Sequence, residues 1–249
     1  MITLPSHYAE VEAVYSQTLG ANYRTIAITS AAPSEGKSTL AEALVKRAQA
    51  SDKKVLLVEL NTFNPVLKSR LQEAVNAPMP TQKSASQVAQ SQAAQGQVNT
   101  GIINLNEQGY SVLPVSNDAM TIKKYREASL LIEAINQWLS EFDCIVFDTA
   151  SLAMLNQHNI PACTVCQVCD GAIMVVEAGK TPANLIEEGI EKLVAKQVNI
   201  VGTVVNDKSN PSLLDEMIRE SHKLDAWLPK MMSKLRAKLA NVVMLNVAV

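Results

Sequence analysis

Short, almost continuous runs of aliphatic residues recur along the chain, and longer stretches between them have apolar residues at helical spacing. The runs predict buried strands, because a strand covered on both faces is apolar at nearly every position. They lie at 25–30, 55–60, 111–115, 144–148, 171–177 and 200–205. Helices are predicted at 39–50, 125–140, 152–169 and 183–196. This alternation predicts an α/β fold with a doubly wound, mostly parallel sheet of about six to eight strands.

The rest of the chain is less regular. The run GIINL at 101–105, followed by NEQG and YSVLPV, predicts a hairpin at a sheet edge. Residues 81–98 contain six glutamines, four alanines and three serines, which predicts a mobile surface loop. Residues 226–245 combine basic side chains with apolar residues at helical spacing, which predicts a basic amphipathic helix. Two interpretations of this helix stay open: docking on the sheet, and contact with an anionic membrane surface.

Composition narrows the class of protein. The 249 residues, 47% of them hydrophobic, suit one domain spanning 1–249. The formal net charge of -2 argues against a nucleic-acid binder. No apolar run approaches the ~20 residues that span a bilayer, and the N-terminus lacks a signal-peptide pattern, so we expect a cytoplasmic protein. The spacing of Cys163, Cys166 and Cys169 allows a metal site or buried structural thiols, and the small apolar residues around them favour thiols.

The segment SAAPSEGKST at 30–39 lies between the first predicted strand and the first predicted helix. This context identifies Gly36 to Ser38 as the end of a phosphate-binding loop (P-loop) of the pattern G-x-x-x-x-G-K-[ST]. Ala31 stands where the pattern has its first glycine. We expect the backbone N–H groups of residues 35–39 and the helix N-terminus to hold a phosphate chain.

Side chains of the loop and of a later strand have separate predicted roles. Lys37 would reach the β and γ phosphates, Ser38 would bind Mg²⁺ through its hydroxyl, and Thr39 would contact the α phosphate. Asp148 ends the apolar run FDCIVFD. A carboxylate at a strand tip is more often a helix cap, but beside a P-loop it can hold Mg²⁺ through a water, and the presence of Lys37 favours that role.

The stretch ITSAAPSEGKSTLAEAL resembles the P-loop of bacterial tyrosine kinases that regulate capsular and exopolysaccharide synthesis. That family typically has T-S-x-x-P-G-E-G-K-[ST], so Ala31 is ordinary for it, whereas Ser34 replaces a glycine and has less freedom at positive φ. EFDCIVFDTAS resembles the family's Walker B strand, with Asp148 at the aspartate position. CDGAIMVVEAGKTP and IVGTVVND resemble the strands that follow. The resemblance implies the P-loop NTPase fold that MinD- and ParA-type ATPases share more distantly.

The resemblance also implies the cofactors, ATP or ADP with Mg²⁺, and the site residues. Asn206 matches an asparagine that contacts the adenine edge, and Asp207 would flank the base. The residues implied for nucleotide binding are Ser34, Glu35, Gly36, Lys37, Ser38, Thr39, Asn206 and Asp207. Those implied for Mg²⁺ are Ser38, Glu59 and Asp148, and those implied for catalysis are Lys37, Glu59 and Asp148.

Three features depart from the family. Its second acidic motif reads D-x-D-x-R-x-P after an apolar run, and here Glu59 replaces the first aspartate and Asn61 the second. A positioning error of about 1 Å can lower a rate about 10²-fold, so these changes predict weak phosphoryl transfer. No tyrosine follows Tyr125, so the family's C-terminal tyrosine cluster is missing. The ring-forming E-x-x-R-x-x-R motif is also altered, because Tyr15 stands three residues after Glu12.

These observations together predict an ATP-binding P-loop protein that resembles the cytoplasmic tyrosine kinases of exopolysaccharide and capsule synthesis, with weakened or absent kinase activity. The resemblance implies a membrane-embedded chain-length protein, a polysaccharide co-polymerase, as partner, and a place at the inner face of the membrane. A homo-oligomer stays open. Two alternative functions also stay open: a ParA/MinD-type ATPase that positions cargo at a membrane, and a non-catalytic interaction protein.

Overall fold

The structure, a computed structural model, describes residues 8–65, 101–105, 110–116, 118–156 and 159–208. The predicted loop at 81–98 and the predicted helix at 226–245 lie outside these residues. The chain divides into two compact units, of which the first is Met1–Val176 with Thr181–Asn206 and the second is Glu177–Lys180 with Asp207–Val249. In the second unit, the Lys180 ammonium donates to the Glu177 carboxylate at 2.9 Å. One domain over the whole chain stays a prediction.

Seven strands form one sheet in the described residues, in the order β3-β4-β2-β5-β1-β6-β7. Their bounds are β1 Thr25–Ser30, β2 Val55–Glu59, β3 Ile103–Leu105, β4 Tyr110–Leu113, β5 Cys144–Asp148, β6 Gly171–Glu177 and β7 Ile200–Asn206. β1 pairs in parallel with β5 and β6, and β2 pairs in parallel with β4 and β5. β3 and β4 are antiparallel and lie at the edge, which confirms the predicted hairpin. The predicted α/β sheet is confirmed as well.

Helices cover both faces of the sheet. Their bounds are α1 Ala9–Gln17, α2 Lys37–Gln49, α3 Ala119–Tyr125, α4 Ala128–Trp138, α5 Ala162–Val168 and α6 Ala183–Ala195. Ile26 and Ile28 of β1 belong to a buried cluster with Leu44 of α2. Ala27 between them belongs to a second cluster with Trp138 of α4. Successive strand residues point to opposite faces, so helices on both faces require apolar residues at every central strand position.

The predicted helix at 125–140 is present as α4, which runs from Ala128 to Trp138. A separate helix that the sequence did not predict, α3, precedes it and ends at Tyr125. Between the two helices, the Arg126 guanidinium donates to the carbonyl oxygens of Asn156 and Asn159 at 2.9 and 2.6 Å. The connection is thus held by a segment about 30 residues away in the sequence.

The predicted helix at 152–169 is wrong over part of its length, since among its described residues Ala162–Val168 is helical and 152–156 and 159–161 are not. Pro161 is the N-cap of this helix, and a proline disfavours helical backbone at the residue before it. The Asn159 amide donates to the Met154 carbonyl at 2.7 Å and its oxygen accepts from the Asn156 N–H at 3.0 Å. These bonds give the Met154 carbonyl and the Asn156 N–H side-chain partners in place of helical ones.

The four cysteines are free thiols. Cys166 and Cys169 belong to the core cluster that contains α4, and burial raises the pKa of both thiols. Within the described ranges, no three His, Cys, Asp or Glu side chains are grouped so that they could hold a metal ion. The thiols therefore pack as small apolar side chains, as the sequence favours. None of the helices in the described ranges is both long and apolar enough to span a bilayer.

Candidate phosphate-binding site

The carboxyl ends of three central strands meet at one edge of the sheet. β5 lies between β1 and β2, and Glu59 and Asp148 are register partners at the ends of β2 and β5. The P-loop leaves the end of β1 and leads into α2. Ligands of open parallel sheets bind outside the carboxyl ends of the strands, where neighbouring connections diverge. The topology therefore places the predicted loop and both predicted carboxylates at one edge.

Two residues give the P-loop its tight course. Ser34 has a φ of 67° and Gly36 a φ of 98°. The positive φ expected at Ser34 is thus present, although a side chain there is less favourable than glycine. A Cβ on Gly36 would lie 2.7 Å from the Asn206 amide nitrogen. The backbone angle therefore favours glycine at this position, and a Cβ there would also displace the Asn206 side chain.

Lys37 begins α2 and is buried beneath the loop, with 5% of its surface exposed. Its ammonium donates to the Ser30 hydroxyl at 2.8 Å. Burial lowers the pKa of Lys37, while the carboxylates of Asp148 and Glu35 act in the opposite direction. The first four N–H groups of an α-helix have no hydrogen-bond partner within the helix, and at the start of α2 the N-cap residue Gly36 provides no side-chain acceptor for them. The N-terminus of α2 thus offers amide donors and a cation to an anion.

Ser38 and Asp148 are brought together across 110 residues of sequence. The Ser38 hydroxyl donates to one oxygen of the Asp148 carboxylate at 2.5 Å. Burial raises the pKa of Asp148 to about 6, a shift that the Ser38 bond and the Lys37 charge oppose and the Glu59 charge increases. The second carboxylate oxygen, Oδ1, is buried and has no hydrogen-bond partner in the described part of the chain. A buried oxygen of this kind fits a divalent cation or a water bound to one.

The two acidic positions of the sequence motif, Glu59 and Asn61, have different surroundings at the end of β2. Glu59 is fully buried and lines a cavity of about 330 Å³. Asn61, at the second acidic position, is also buried, but its side-chain oxygen accepts from the N–H groups of Phe63 and Asn64 at 3.2 and 3.4 Å. Asn61 therefore stabilises the turn that follows it, as asparagine does in Asx turns, while Glu59 alone carries a carboxylate here.

Glu35 connects the loop to two later segments. Its carboxylate accepts from the Ala32 N–H at 2.9 Å and from the Thr181 hydroxyl. Its carbonyl oxygen accepts from the Asn206 amide at 3.0 Å. Asn206, implied as an adenine contact, thus lies against the P-loop. Asp207 follows β7 in the second unit, and its role beside the base stays a prediction, as do those of the other site residues.

Sequence reasoning did not find Ser30 and Thr181. Ser30 supports the Lys37 ammonium, and Thr181 bonds to Glu35, 146 residues earlier in the sequence. Ser30 precedes the recognisable G-K-S part of the loop, and only its position at the end of the first predicted strand could have indicated a role. Thr181 offered none, because a contact over such a separation has no spacing signature.

No protein-family model matches the chain. Tyrosine-protein kinase CpsD of Streptococcus agalactiae serotype III (strain NEM316) is 26% identical over 197 residues, which cover 79% of each protein. Tyrosine-protein kinase YwqD of Bacillus subtilis (strain 168) is 25% identical over 187 residues, covering 74% of this chain and 73% of YwqD. Succinoglycan biosynthesis transport protein ExoP of Rhizobium meliloti (strain 1021) is 25% identical over 190 residues, which are 75% of this chain but 22% of ExoP.

Solved structures share the fold. The VpsO kinase domain superposes with a TM-score of 0.60 at 18% identity, covering 78% of this chain and 90% of that domain. A chain of the MinC:MinD cell division protein complex of Aquifex aeolicus has a TM-score of 0.52 at 18% identity, and the match covers 79% of this chain and 72% of that one. Cobyrinic acid a,c-diamide synthase from Mycobacterium smegmatis, with bound ATP analog and magnesium, has a TM-score of 0.52 at 14% identity, with 74% and 72% covered. In sequence the chain is therefore similar to bacterial proteins named tyrosine-protein kinases, and in structure it has the P-loop NTPase fold of the VpsO kinase domain.

Proposed function

We propose that the chain binds ATP or ADP together with Mg²⁺ at the carboxyl ends of β1, β2 and β5. The observation that carries this proposal is the convergence of Lys37, Ser38 and Asp148. The Ser38 hydroxyl bonds one Asp148 oxygen at 2.5 Å, and the other oxygen is buried without a hydrogen-bond partner in the described residues. A cation, a hydroxyl and a carboxylate at a helix N-terminus form the donor set that a magnesium nucleotide requires.

Each group has a role in this proposal. The amides of residues 35–39 and the Lys37 ammonium hold the phosphates, and Asn206 contacts the adenine. Ser38 and Asp148 hold Mg²⁺, with Glu59 beside them. When bound, Mg²⁺ neutralises the charge of the phosphate oxygens. The Ser30 hydroxyl, 2.8 Å from the Lys37 nitrogen, keeps the ammonium beneath the loop.

Phosphoryl transfer to tyrosine is proposed to be weak or absent. Glu59 is one methylene longer than the aspartate that the family has there, and Asn61 carries no charge and accepts hydrogen bonds from its own turn. The groups that hold the nucleotide are therefore retained, while those that would position an acceptor hydroxyl are changed. The cavity of about 330 Å³ beside Glu59 leaves room for a group to approach this carboxylate.

Isothermal titration calorimetry with ATP and ADP, each with and without Mg²⁺, tests nucleotide binding. The wild type is expected to release heat and to bind more tightly with Mg²⁺, whereas Lys37→Ala is expected to give no signal. A wild type that gives neither heat nor a shift in melting temperature at millimolar Mg-ATP would refute the proposal and favour the non-catalytic interaction protein.

Mass spectrometry of an added tyrosine-containing peptide, after incubation with the protein and Mg-ATP, tests the chemical step. Little phosphotyrosine is expected from the wild type, and more from the double variant Glu59→Asp/Asn61→Asp, because it restores both acids. Rapid phosphotyrosine formation by the wild type would contradict the weakened activity but not nucleotide binding.

A cytoplasmic place beside a membrane-embedded co-polymerase is part of the same proposal. ExoP, a succinoglycan biosynthesis transport protein, is among the relatives, and the chain matches 22% of it. A peptide of the co-polymerase's cytoplasmic tail is expected to increase ATP turnover by the wild type but not by Lys37→Ala. An unchanged turnover rate would remove the co-polymerase from the proposal.

A further inference from the structure

Glu35 occupies a particular place in the P-loop. It stands between Ser34 and Gly36, the two loop residues with positive φ. Its side chain is 1% exposed and folds back on the loop, where one carboxylate oxygen accepts from the Ala32 N–H at 2.9 Å. The other oxygen accepts from the Thr181 hydroxyl. One carboxylate thus joins the beginning of the loop to the residue that precedes the N-cap of α6.

A buried carboxylate is an unexpected component of an anion-binding loop. Its negative charge repels phosphates, and the repulsion is strong where water is excluded. Among the nearby charges, Glu35 favours the protonated form of Lys37, the cation that a phosphate chain needs. This contribution does not remove the repulsion between the Glu35 carboxylate and a phosphate. The carboxylate therefore requires a function that outweighs its repulsion of the ligand, and its hydrogen bonds supply one.

The backbone of the loop explains what these bonds do. Left-handed conformations at non-glycine residues are unfavourable and persist where the surroundings hold them. Ser34 is such a residue, and neighbouring Glu35 is held through three acceptor atoms, because its carbonyl oxygen also accepts from Asn206 at 3.0 Å. The side chain ends in two polar atoms that bond to two separate partners at once, so it suits this task better than a single hydroxyl would.

We propose that the Glu35 carboxylate is a positioning residue that holds the P-loop in its phosphate-binding shape through Ala32 and Thr181. Thr181 is then a second positioning residue, through which the start of α6 influences nucleotide affinity. This inference rests on the proposed nucleotide binding. Neither side chain needs to touch the nucleotide, since both act by keeping the loop amides directed at the phosphates.

Replacement by glutamine separates hydrogen bonding from charge. In Glu35→Gln the side-chain oxygen can still accept from Ala32, and the NH₂ group can donate to the Thr181 oxygen. Glu35→Gln is therefore expected to bind Mg-ADP at least as tightly as the wild type, because it also removes a negative charge. Glu35→Ala loses both bonds and is expected to bind about tenfold more weakly.

Thr181 provides an independent pair of variants. Thr181→Ser keeps the hydroxyl and is expected to bind like the wild type. Thr181→Val has nearly the same shape without the hydroxyl and is expected to bind about three- to tenfold more weakly. The melting temperature of each protein without nucleotide shows whether it is folded, and the Thr181 pair decides the question if Glu35→Ala does not fold.

The measurement is calorimetry with Mg-ADP and Mg-ATP, with AMP tested as a competitor of a fluorescent ADP. Glu35→Ala and Thr181→Val are expected to lose affinity for ADP and ATP. Their loss of affinity for AMP is expected to be smaller, because the loop amides hold the phosphate chain. Glu35→Gln as weak as Glu35→Ala would mean that the charge itself acts, and would overturn the proposal. Thr181→Val equal to Thr181→Ser would also overturn it. A wild type that binds no nucleotide refutes the proposed function instead, so the two failures are distinguishable.

Discussion

Adding a single methyl group at Gly36 is expected to damage the P-loop in two ways. The φ of Gly36 is 98°, a region that L-residues rarely adopt. The Cβ of an alanine would also lie 2.7 Å from the Asn206 amide nitrogen, which now donates to the Glu35 carbonyl at 3.0 Å. Because this nitrogen is at the end of a side chain it can move away, but it then gives up that hydrogen bond.

The magnitude follows from these two effects. A left-handed backbone with a Cβ is unfavourable by about 1–2 kcal/mol. A lost hydrogen bond of this kind lowers stability by about 1 kcal/mol. Gly36→Ala is therefore expected to lower the free energy of unfolding by about 2–3 kcal/mol, and to weaken Mg-ADP binding because the loop amides are displaced.

Urea denaturation followed by circular dichroism measures the change, with Gly202→Ala as the matched control. Gly202 lies in β7, the strand that ends at Asn206, and a Cβ there would meet no atom of the described residues within 4 Å. The control is expected to stay within about 0.5 kcal/mol of the wild type. A Gly36→Ala protein as stable as the control, with unchanged Mg-ADP affinity, would refute both the strain at this residue and the contact with Asn206.

Three further predictions concern other parts of the structure. The pKa of Asp148 is about 6 in the folded protein without ligands, against 3.8 in the unfolded chain. Between these pH values the folded protein binds more protons than the unfolded chain, so its free energy of unfolding should fall by up to about 3 kcal/mol as the pH rises from about 4 to about 6. Urea denaturation across this range should show a smaller fall in Asp148→Asn, and parallel profiles would contradict the shift. One oxygen of Asp170 accepts from the N–H groups of Arg24 and Thr25 at 2.8 Å each, so Asp170→Ala should lose about 2 kcal/mol in the same assay, and Asp170→Asn less than half of that because its carbonyl can accept both; equal losses would contradict this role. Iodoacetamide at pH 8 should label Cys163, which is half-buried, before the three buried cysteines, as measured by peptide mass spectrometry, and uniform labelling would contradict the described packing.

The sheet and the P-loop could be predicted from the sequence because their signals are local. A strand covered on both faces is a continuous apolar run, and six such runs correspond to β1, β2, β4, β5, β6 and β7. The G-K-S end of the loop is contiguous as well, and the positive φ at Ser34 follows from its position in the motif. The edge hairpin was recognisable from a turn-forming segment between two short apolar runs.

The contacts that the sequence did not predict share a different cause. The Arg126 guanidinium, between α3 and α4, bonds to the carbonyl oxygens of Asn156 and Asn159. The bond between Glu35 and Thr181 spans 146 residues, and neither residue type predicts the other. Periodicity describes which face of an element is buried, but it carries no information on which distant polar group meets which. The polar contacts that shape the site were therefore accessible only from the structure.

The distribution of the site over the sheet explains how binding and transfer can change independently. Lys37 and Ser38, proposed to hold the phosphates and Mg²⁺, begin α2, and Asp148 ends β5, while Glu59 is the one proposed Mg²⁺ neighbour at the end of β2. The altered acids lie at the end of β2, and there Asn61 bonds to its own turn through an oxygen that aspartate also possesses. Asparagine thus keeps the turn and carries no charge two residues after Glu59. The backbone at position 61 is therefore compatible with asparagine and with aspartate. Asn61→Asp is therefore expected to add a charge beside Glu59 without disturbing the turn or the P-loop.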